Sequence, residues 1–440
     1  MNTRPHSLAK KNGLFEWLSL ACFAAFPITF LSIRHGVHIS LYGLLILCIS
    51  QNLLNKKSIS QTISLPKELI TVSTALASIF LANLVSHGLR QDFNWSALDG
   101  PSRLLIAGFI LILLKETKLS PLRLLEWTIP SGLIILAILL VTNFDTNNGW
   151  HIAGIQRMAS SFVDPNTLGS QTMILGLLCF LMIRPPSQEA YSKKLIKIIG
   201  GCSGVYISIA TASRGGWLAL PFILITWFLI QLSQAHQPPE SQQRRHYRGY
   251  ILILITSLMA LLTIYWSSNI FSTRILSAYH EINRWLQGTD LNGAAGIRLS
   301  MWKIAFSLIQ EYPWLGIGEQ SIATLLTNHP LNTPAYQQAI HDLIASGPHS
   351  DILSKTLSNG LLGLIAYAST LGLPLMIFIR HLRNCHHDAQ LAAQIGVYYI
   401  VGVFVCGLTN EMLSLKYLCS FYGLMIMSLT YQTIQDKSPS

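Results

Sequence analysis

Apolar runs long enough to cross a bilayer recur twelve times along this chain, and a chain so built is driven to bury its backbone polar groups in helices within lipid. They lie near 14–33, 36–54, 69–86, 102–114, 122–142, 167–183, 195–212, 214–232, 249–267, 352–379, 390–409 and 416–434. The fourth is short, and the seventh and eighth are parted only by Ser213, Arg214, Gly215 and Gly216, a polar break that suits a tight re-entry. Composition agrees: 51% of the 440 residues are hydrophobic, 11% are charged, and mean hydropathy is +0.44. A soluble domain cannot keep that much apolar surface out of water. The expected class is an all-α polytopic membrane protein of about twelve transmembrane helices.

The net charge of +11 does not point to nucleic acid, because the basic residues are dispersed in short clusters between the runs. They read as topology determinants. With the N-terminus in the cytoplasm, that side holds Arg4, Lys10 and Lys11; Lys56, Lys57 and Lys67; Lys115, Lys118 and Arg123; Arg184, Lys193, Lys194 and Lys197; Arg244, Arg245 and Arg248; Arg380 and Arg383; and Lys437. The short outer loops hold only Arg34, Arg90, Arg103, Arg157, Arg214 and Lys416. Both termini are therefore expected in the cytoplasm. The run after the basic N-terminus lacks a small-residue cleavage site and is expected to be retained as a first helix. Of seven cysteines, six lie in apolar runs and Cys385 in a basic loop, so no disulfide framework is expected.

This topology divides the chain into spans one to nine (1–267), one large outer loop (268–350) and spans ten to twelve (351–440). A structureless loop of that length would be unusual. Three stripes at helical spacing argue for short amphipathic helices on the outer membrane face: Leu276, Tyr279, Ile282 and Leu286; Leu299, Trp302, Phe306 and Ile309; Tyr336, Ile340, Leu343 and Ile344. The plainer reading is a folded cap over the bundle.

Ionisable residues are nearly missing from the middles of the spans, where ion-coupled transporters place them, and no inverted repeat is visible. Charge collects instead at the outer face, in Arg157, Arg214, Arg298, His349 and Asp351. Arginines beside Gly or Ser at a lipid surface can grip a phosphate or diphosphate through the guanidinium fork; their alternative role is to snorkel to headgroups. His349, just before an apolar helix, has the position of a general base, or else of a polar cap residue. His329, His341, Asp342, His349 and Asp351 lack the spacing of a ligand set, so no metal and no other cofactor is expected.

In this order and context the residues resemble the O-antigen ligase and polymerase superfamily of bacterial envelope glycosyltransferases. The resemblance covers the chain from about Gly154 onward. It rests on Arg157 with Phe162, Asp164, Pro165 and Asn166; on Ser213, Arg214 and Gly215; on Arg298 before Trp302; on the turn from Pro313 to Gly318; and on His349 followed by Asn359 to Gly363. It implies a GT-C-like membrane enzyme of the bacterial inner membrane, working at the periplasmic face. The donor would be an undecaprenyl-diphosphate-linked glycan, its diphosphate held by Arg214 and Arg298 with Arg157 beside them, and His349 would activate the acceptor hydroxyl. Ser350 fits the family pattern; Asp351 departs from it and takes no role. A ligase acting on lipid A core is favoured, because the chain has one dominant outer loop and no further periplasmic domain. A polymerase extending a second carrier-linked unit and a protein O-oligosaccharyltransferase are the alternatives, and a lipid-linked sugar transporter is the reading from another class.

Overall fold

A computed structural model describes residues 6–54, 66–114, 120–142, 150–152, 155–185, 187–234, 269–318, 322–327, 329–384 and 386–435. Helices α1 (His6–Thr29), α2 (Gly36–Leu54), α3 (Lys67–Arg90), α4 (Trp95–Leu113) and α5 (Pro121–Thr142) precede a small hairpin of β1 (Trp150–Ile152) and β2 (Ile155–Arg157). Then come α6 (Pro165–Leu181), α7 (Tyr191–Ala210) and α8 (Arg214–Gln234). Four shorter helices follow, α9 (Asn269–Leu286), α10 (Ala294–Glu311), α11 (Ile322–Leu326) and α12 (Gln337–Ser346), before α13 (Asp351–His381), α14 (His387–Gly407) and α15 (Lys416–Gln435).

Seven of these, α2, α3, α4, α5, α8, α13 and α14, are long and apolar enough to cross a membrane, and the chain is a polytopic helical membrane protein. The runs expected at 14–33, 167–183, 195–212 and 416–434 are helical as well, as α1, α6, α7 and α15, but shorter or more polar. In α15 the polarity has a visible reason: Ser420, Ser428, Thr430 and Gln432 are buried against protein, where hydroxyl and amide groups cost less than in lipid. The short fourth run is lengthened at its start, where the Asn94 side chain caps α4 by accepting the Ser96 N–H at 3.0 Å. The run at 249–267 lies outside the described residues, as do Cys385 and the basic residues at 56–57, 115, 118 and 244–248.

The long helices alternate in direction, so the starts of α2, α4, α6, α8, α13 and α15 share one end of the bundle with the C-terminal ends of α1, α3, α5, α7 and α14. Contacts far apart in sequence hold that end together. Phe30 packs on Tyr417 and stacks on Phe421, and the Asp351 carboxylate accepts the backbone N–H groups of Met412 (2.9 Å) and Leu413 (3.0 Å). Asp351 is thus an anchor between α13 and the turn before α15. At the opposite end Glu126 is fully buried and takes Arg184 (2.6 Å), Lys193 (2.9 Å) and Lys197 (3.0 Å), while Arg184 also holds Asp388 at 2.6 Å. Between the ends, α6 and α7 touch backbone to backbone: a Cβ on Gly204 would lie 2.6 Å from the Thr172 carbonyl oxygen.

Helix α13 is broken at Gly360, whose φ of 61° ends the regular hydrogen bonding. The turn from Pro313 to Gly318 supplies the missing partners. Ile317 donates to the Leu357 carbonyl (2.9 Å), Gly318 to Ser358 (3.0 Å), and Leu361 donates back to Pro313 (2.8 Å). The Arg90 guanidinium donates to the Leu315 and Ser358 carbonyls and so ties α3 to the same knot.

The segment between α9 and α13 has a small core of its own, with Met301, Ile304, Ala305, Leu308, Ile340 and Leu343 at its centre. Two expected stripes are displaced from it. On α10 the buried face is 301, 304, 305 and 308, whereas Phe306 is exposed. On α9 Leu276, Tyr279, Ile282 and Leu286 all face outward and the polar face turns in.

Candidate active site

At the end of the bundle that holds His349, four arginines converge. Arg157 arrives on β2, which pairs antiparallel with β1, Trp150 opposite Arg157. The chain is then pinned to α7 by the Met158 N–H on the Ala210 carbonyl at 3.0 Å. Buried there, Arg157 donates through Nε to the Thr211 carbonyl (2.6 Å) and through Nη2 to Asn166 Oδ1 (2.7 Å). Asp164 caps α6 by accepting the N–H groups of Asn166 (2.9 Å) and Thr167 (3.0 Å), with Pro165 in the first turn, where its missing N–H costs nothing. The run Asp164-Pro165-Asn166 is therefore a helix start whose third residue also holds an arginine. Burial, with Arg274 and Arg298 nearby, pushes the Arg157 guanidinium down to about 10.

Arg214 opens α8 two residues after the left-handed Ala212 (φ 51°). Its guanidinium reaches α9, donating to both oxygens of Glu281 (3.3 and 3.2 Å) and to Ser277 Oγ (2.6 Å). Glu281 also accepts the Ala295 N–H at 2.7 Å, so one carboxylate joins α8, α9 and the start of α10. Burial would raise its carboxyl, but the bonds from Arg214 and Ala295 outweigh that and hold it below the usual range. One turn before Ser277, Arg274 is 7% exposed, and burial with the Arg214 charge pushes it down to about 10. Its buried Nε has no hydrogen-bond partner among the described residues.

Arg298 lies in the first turns of α10. Burial and the Arg214 charge lower its pKa. Among the described residues no hydrogen bond reaches its guanidinium. Two carboxylates face these four cations, and each has other work: Asp164 caps α6 and Glu281 holds Arg214. The excess of positive charge in a half-buried place favours an anion.

His349 lies beside them, in the link between α12 and α13, with a left-handed φ of 51°. A histidine held there is strained, and such strain gathers at functional sites. Trp302 Nε1 fixes the link by donating to the Pro348 carbonyl at 2.9 Å. Burial first, and the Arg298 charge second, hold the imidazole below the ordinary histidine value, so it is neutral and basic at neutral pH. Ser350 makes no side-chain cap bond to α13. Among the described residues no three His, Cys, Asp or Glu side chains group as metal ligands would.

The structure thus brings together Arg157, Arg214, Arg298 and His349. It adds Arg274 and Glu281, which the sequence reading did not single out. Their signal was present as a polar stripe, Arg274, Ser277 and Glu281, at helical spacing on α9; beside a stronger apolar stripe it reads as a solvated face.

Residues 202–368 match the family model described as O-antigen ligase. A curated protein from Haemophilus influenzae, described only as uncharacterized, is 24% identical over 319 residues, covering 69% of this chain and 71% of that protein. That family comprises glycosyltransferase-like membrane enzymes of lipopolysaccharide synthesis, and the matched segment, which carries Arg214, Arg298 and His349, is similar to it.

Proposed function

We propose that the protein is an O-antigen ligase that moves a glycan from undecaprenyl diphosphate to lipid A core oligosaccharide at the periplasmic face of the inner membrane. The observation that carries this reading is Arg298: a guanidinium without a partner among the described residues, inside a group of four arginines and next to a neutral histidine. A diphosphate is the anion such a cluster fits, since several forked donors can share its oxygens. In this proposal the chain spans the membrane about twelve times, with both termini cytoplasmic and 268–350 in the periplasm.

The donor diphosphate lies across Arg298, Arg214, Arg274 and the remaining Nη1 of Arg157. Glu281 keeps the Arg214 fork in place. His349 takes the proton of the acceptor hydroxyl as that oxygen attacks the anomeric carbon. The bond from that carbon to the diphosphate oxygen breaks, the electron pair leaves with undecaprenyl diphosphate, and the arginines stabilise the growing charge. Attack from the face opposite the leaving group inverts the anomeric centre. No step calls for a metal.

The test is an extension assay with purified protein, undecaprenyl-diphosphate glycan and either lipid A core or a second carrier-linked unit, with chelator present. Extension of lipid A core that is lost in His349→Ala is expected. Extension only of the carrier-linked unit would make the protein a polymerase, and full activity in His349→Ala would remove the histidine from the mechanism.

A further inference from the structure

A cavity of about 360 Å³ opens at the same end of the bundle, between the α1–α2 turn, the loop after β2 and the start of α15. Its walls are largely apolar, with the rings of Phe30, Phe162 and Tyr417 among them, and its polar lining is Arg34, His35, His38, Ser161 and Lys416. Nearby, Asp99 is the acid that pairs with Lys416 and with Arg103. Among the described residues Arg34 and His35 have no carboxylate partner. The permanent cations Arg34, Arg103 and Lys416 therefore outnumber the nearby acids, Asp99 and Asp164, and the cavity is left with net positive charge.

The histidines add donors. Arg103 Nε lies 3.4 Å from His38 Nδ1, and Ser420 Oγ lies 2.8 Å from the same nitrogen. Arg103 can only donate, so Nδ1 accepts and the proton sits on Nε2. His35 is held at φ 68°, an unfavourable conformation for histidine. Position argues the same way. Arg34 and Lys416 are two of the few basic residues in loops that the charge bias otherwise keeps free of them, so orientation in the membrane is not what they serve.

One loop separates this cavity from the arginine cluster. Asp164 acts electrostatically on Arg157, Arg298 and His349 on one side and on Tyr417 on the other, and Phe162 packs edge-on against Tyr417. The cavity is thus cationic at its polar lining and aromatic in its walls, lies at the ends of the long helices, and is one loop away from the arginine cluster.

We propose that it is the subsite for a phosphate group on the headgroup of the acceptor glycolipid, binding it while the arginine cluster holds the donor. This rests on the ligase reading for the identity of the lipid, but binding can be measured without turnover. Equilibrium binding to the full-length protein in neutral detergent would be compared for a phosphorylated lipid A core, the same glycolipid with its phosphates removed, phosphatidylglycerol and inorganic phosphate. We expect the phosphorylated glycolipid to bind at least tenfold more tightly than the other three, and Arg34→Gln with Lys416→Gln to abolish that preference. Arg34→Lys should retain most of it, which separates a binding defect from a folding one. Equal binding of the two glycolipids overturns the proposal. So does phosphatidylglycerol competing on equal terms, which would make the cavity a general headgroup site, or inorganic phosphate alone matching the glycolipid. A preference that survives in the double variant overturns it as well. If the preference is found but no glycan is transferred, the ligase reading fails and the subsite stands.

Discussion

Arg298 and Arg214 stand a few side chains apart and are held in opposite ways: Arg214 is locked by Glu281 and Ser277, and Arg298 has no such partner among the described residues. Their substitutions should therefore fail differently. Arg298→Ala removes the proposed diphosphate contact and little else, so transfer should fall by about a hundredfold, as for one lost charge-stabilising donor, with the melting temperature nearly unchanged. Arg214→Lys should lower both, since an ammonium cannot span the two Glu281 oxygens; activity and thermal scanning of the two variants give the check. The same cluster sets the pH profile. Because burial and Arg298 depress the His349 pKa, the acid limb of kcat/KM should lie below about 6.5, the free imidazole value, and Arg298→Ala should move it upward. The linkage to stability has a definite sign: His349 binds a proton less readily folded than unfolded, so its contribution weakens as pH falls through the ordinary histidine range. The arginines and His349 were legible in sequence because each sits at a break in an apolar run. Arg274 and Glu281 were hidden, since nothing local tells the inward face of an amphipathic helix from the outward one.

At the scale of elements that ambiguity matters most for α9. Periodicity located the stripe of Leu276, Tyr279, Ile282 and Leu286 but not the direction it faces, and the structure turns it outward. An outward apolar stripe beside a membrane end suits contact with the lipid interface. On α10 the stripe was drawn one residue off, because Trp302 and Phe306 weigh heavily in any hydrophobic pattern while small Ala305 and Ser300 fill the buried side. The break in α13 was legible only as a glycine in an apolar run; its partner turn, some forty residues earlier, is invisible to local pattern. Gly360→Ala would place a Cβ against the backbone of Trp314 and Leu315 at a φ of 61°. It should destabilise the protein by about 1–3 kcal/mol, read as a lowered melting temperature in detergent and weaker transfer, since α13 also carries the link to His349.

For the whole molecule the apolar runs foretold most of the described helices, because lipid forbids the alternatives. Where the count is not matched by seven apolar helices, polar residues buried against protein explain part of the difference, as in α15. The ion network around Glu126 joins α5, α6, α7 and α14 at the end away from the site. Glu126→Gln removes the carboxylate shared by Arg184, Lys193 and Lys197 but leaves Lys197 its Glu189 and Arg184 its Asp388, so it should cost about 1–3 kcal/mol; the variant should melt earlier while the fraction still folded transfers glycan normally, and a matching loss of specific activity would tie the two ends together.

The knot at Gly360 has a consequence for traffic. Raising the cap off the bundle would strand the N–H groups of Ile317, Gly318 and Leu361 and the carbonyls they meet, at about 1 kcal/mol or more for each buried group left alone. Sliding a long isoprenoid tail sideways between helix ends breaks none of them. Under the proposed ligase function the door would accordingly be in the wall rather than the roof, letting a carrier lipid dock and depart without leaving the bilayer.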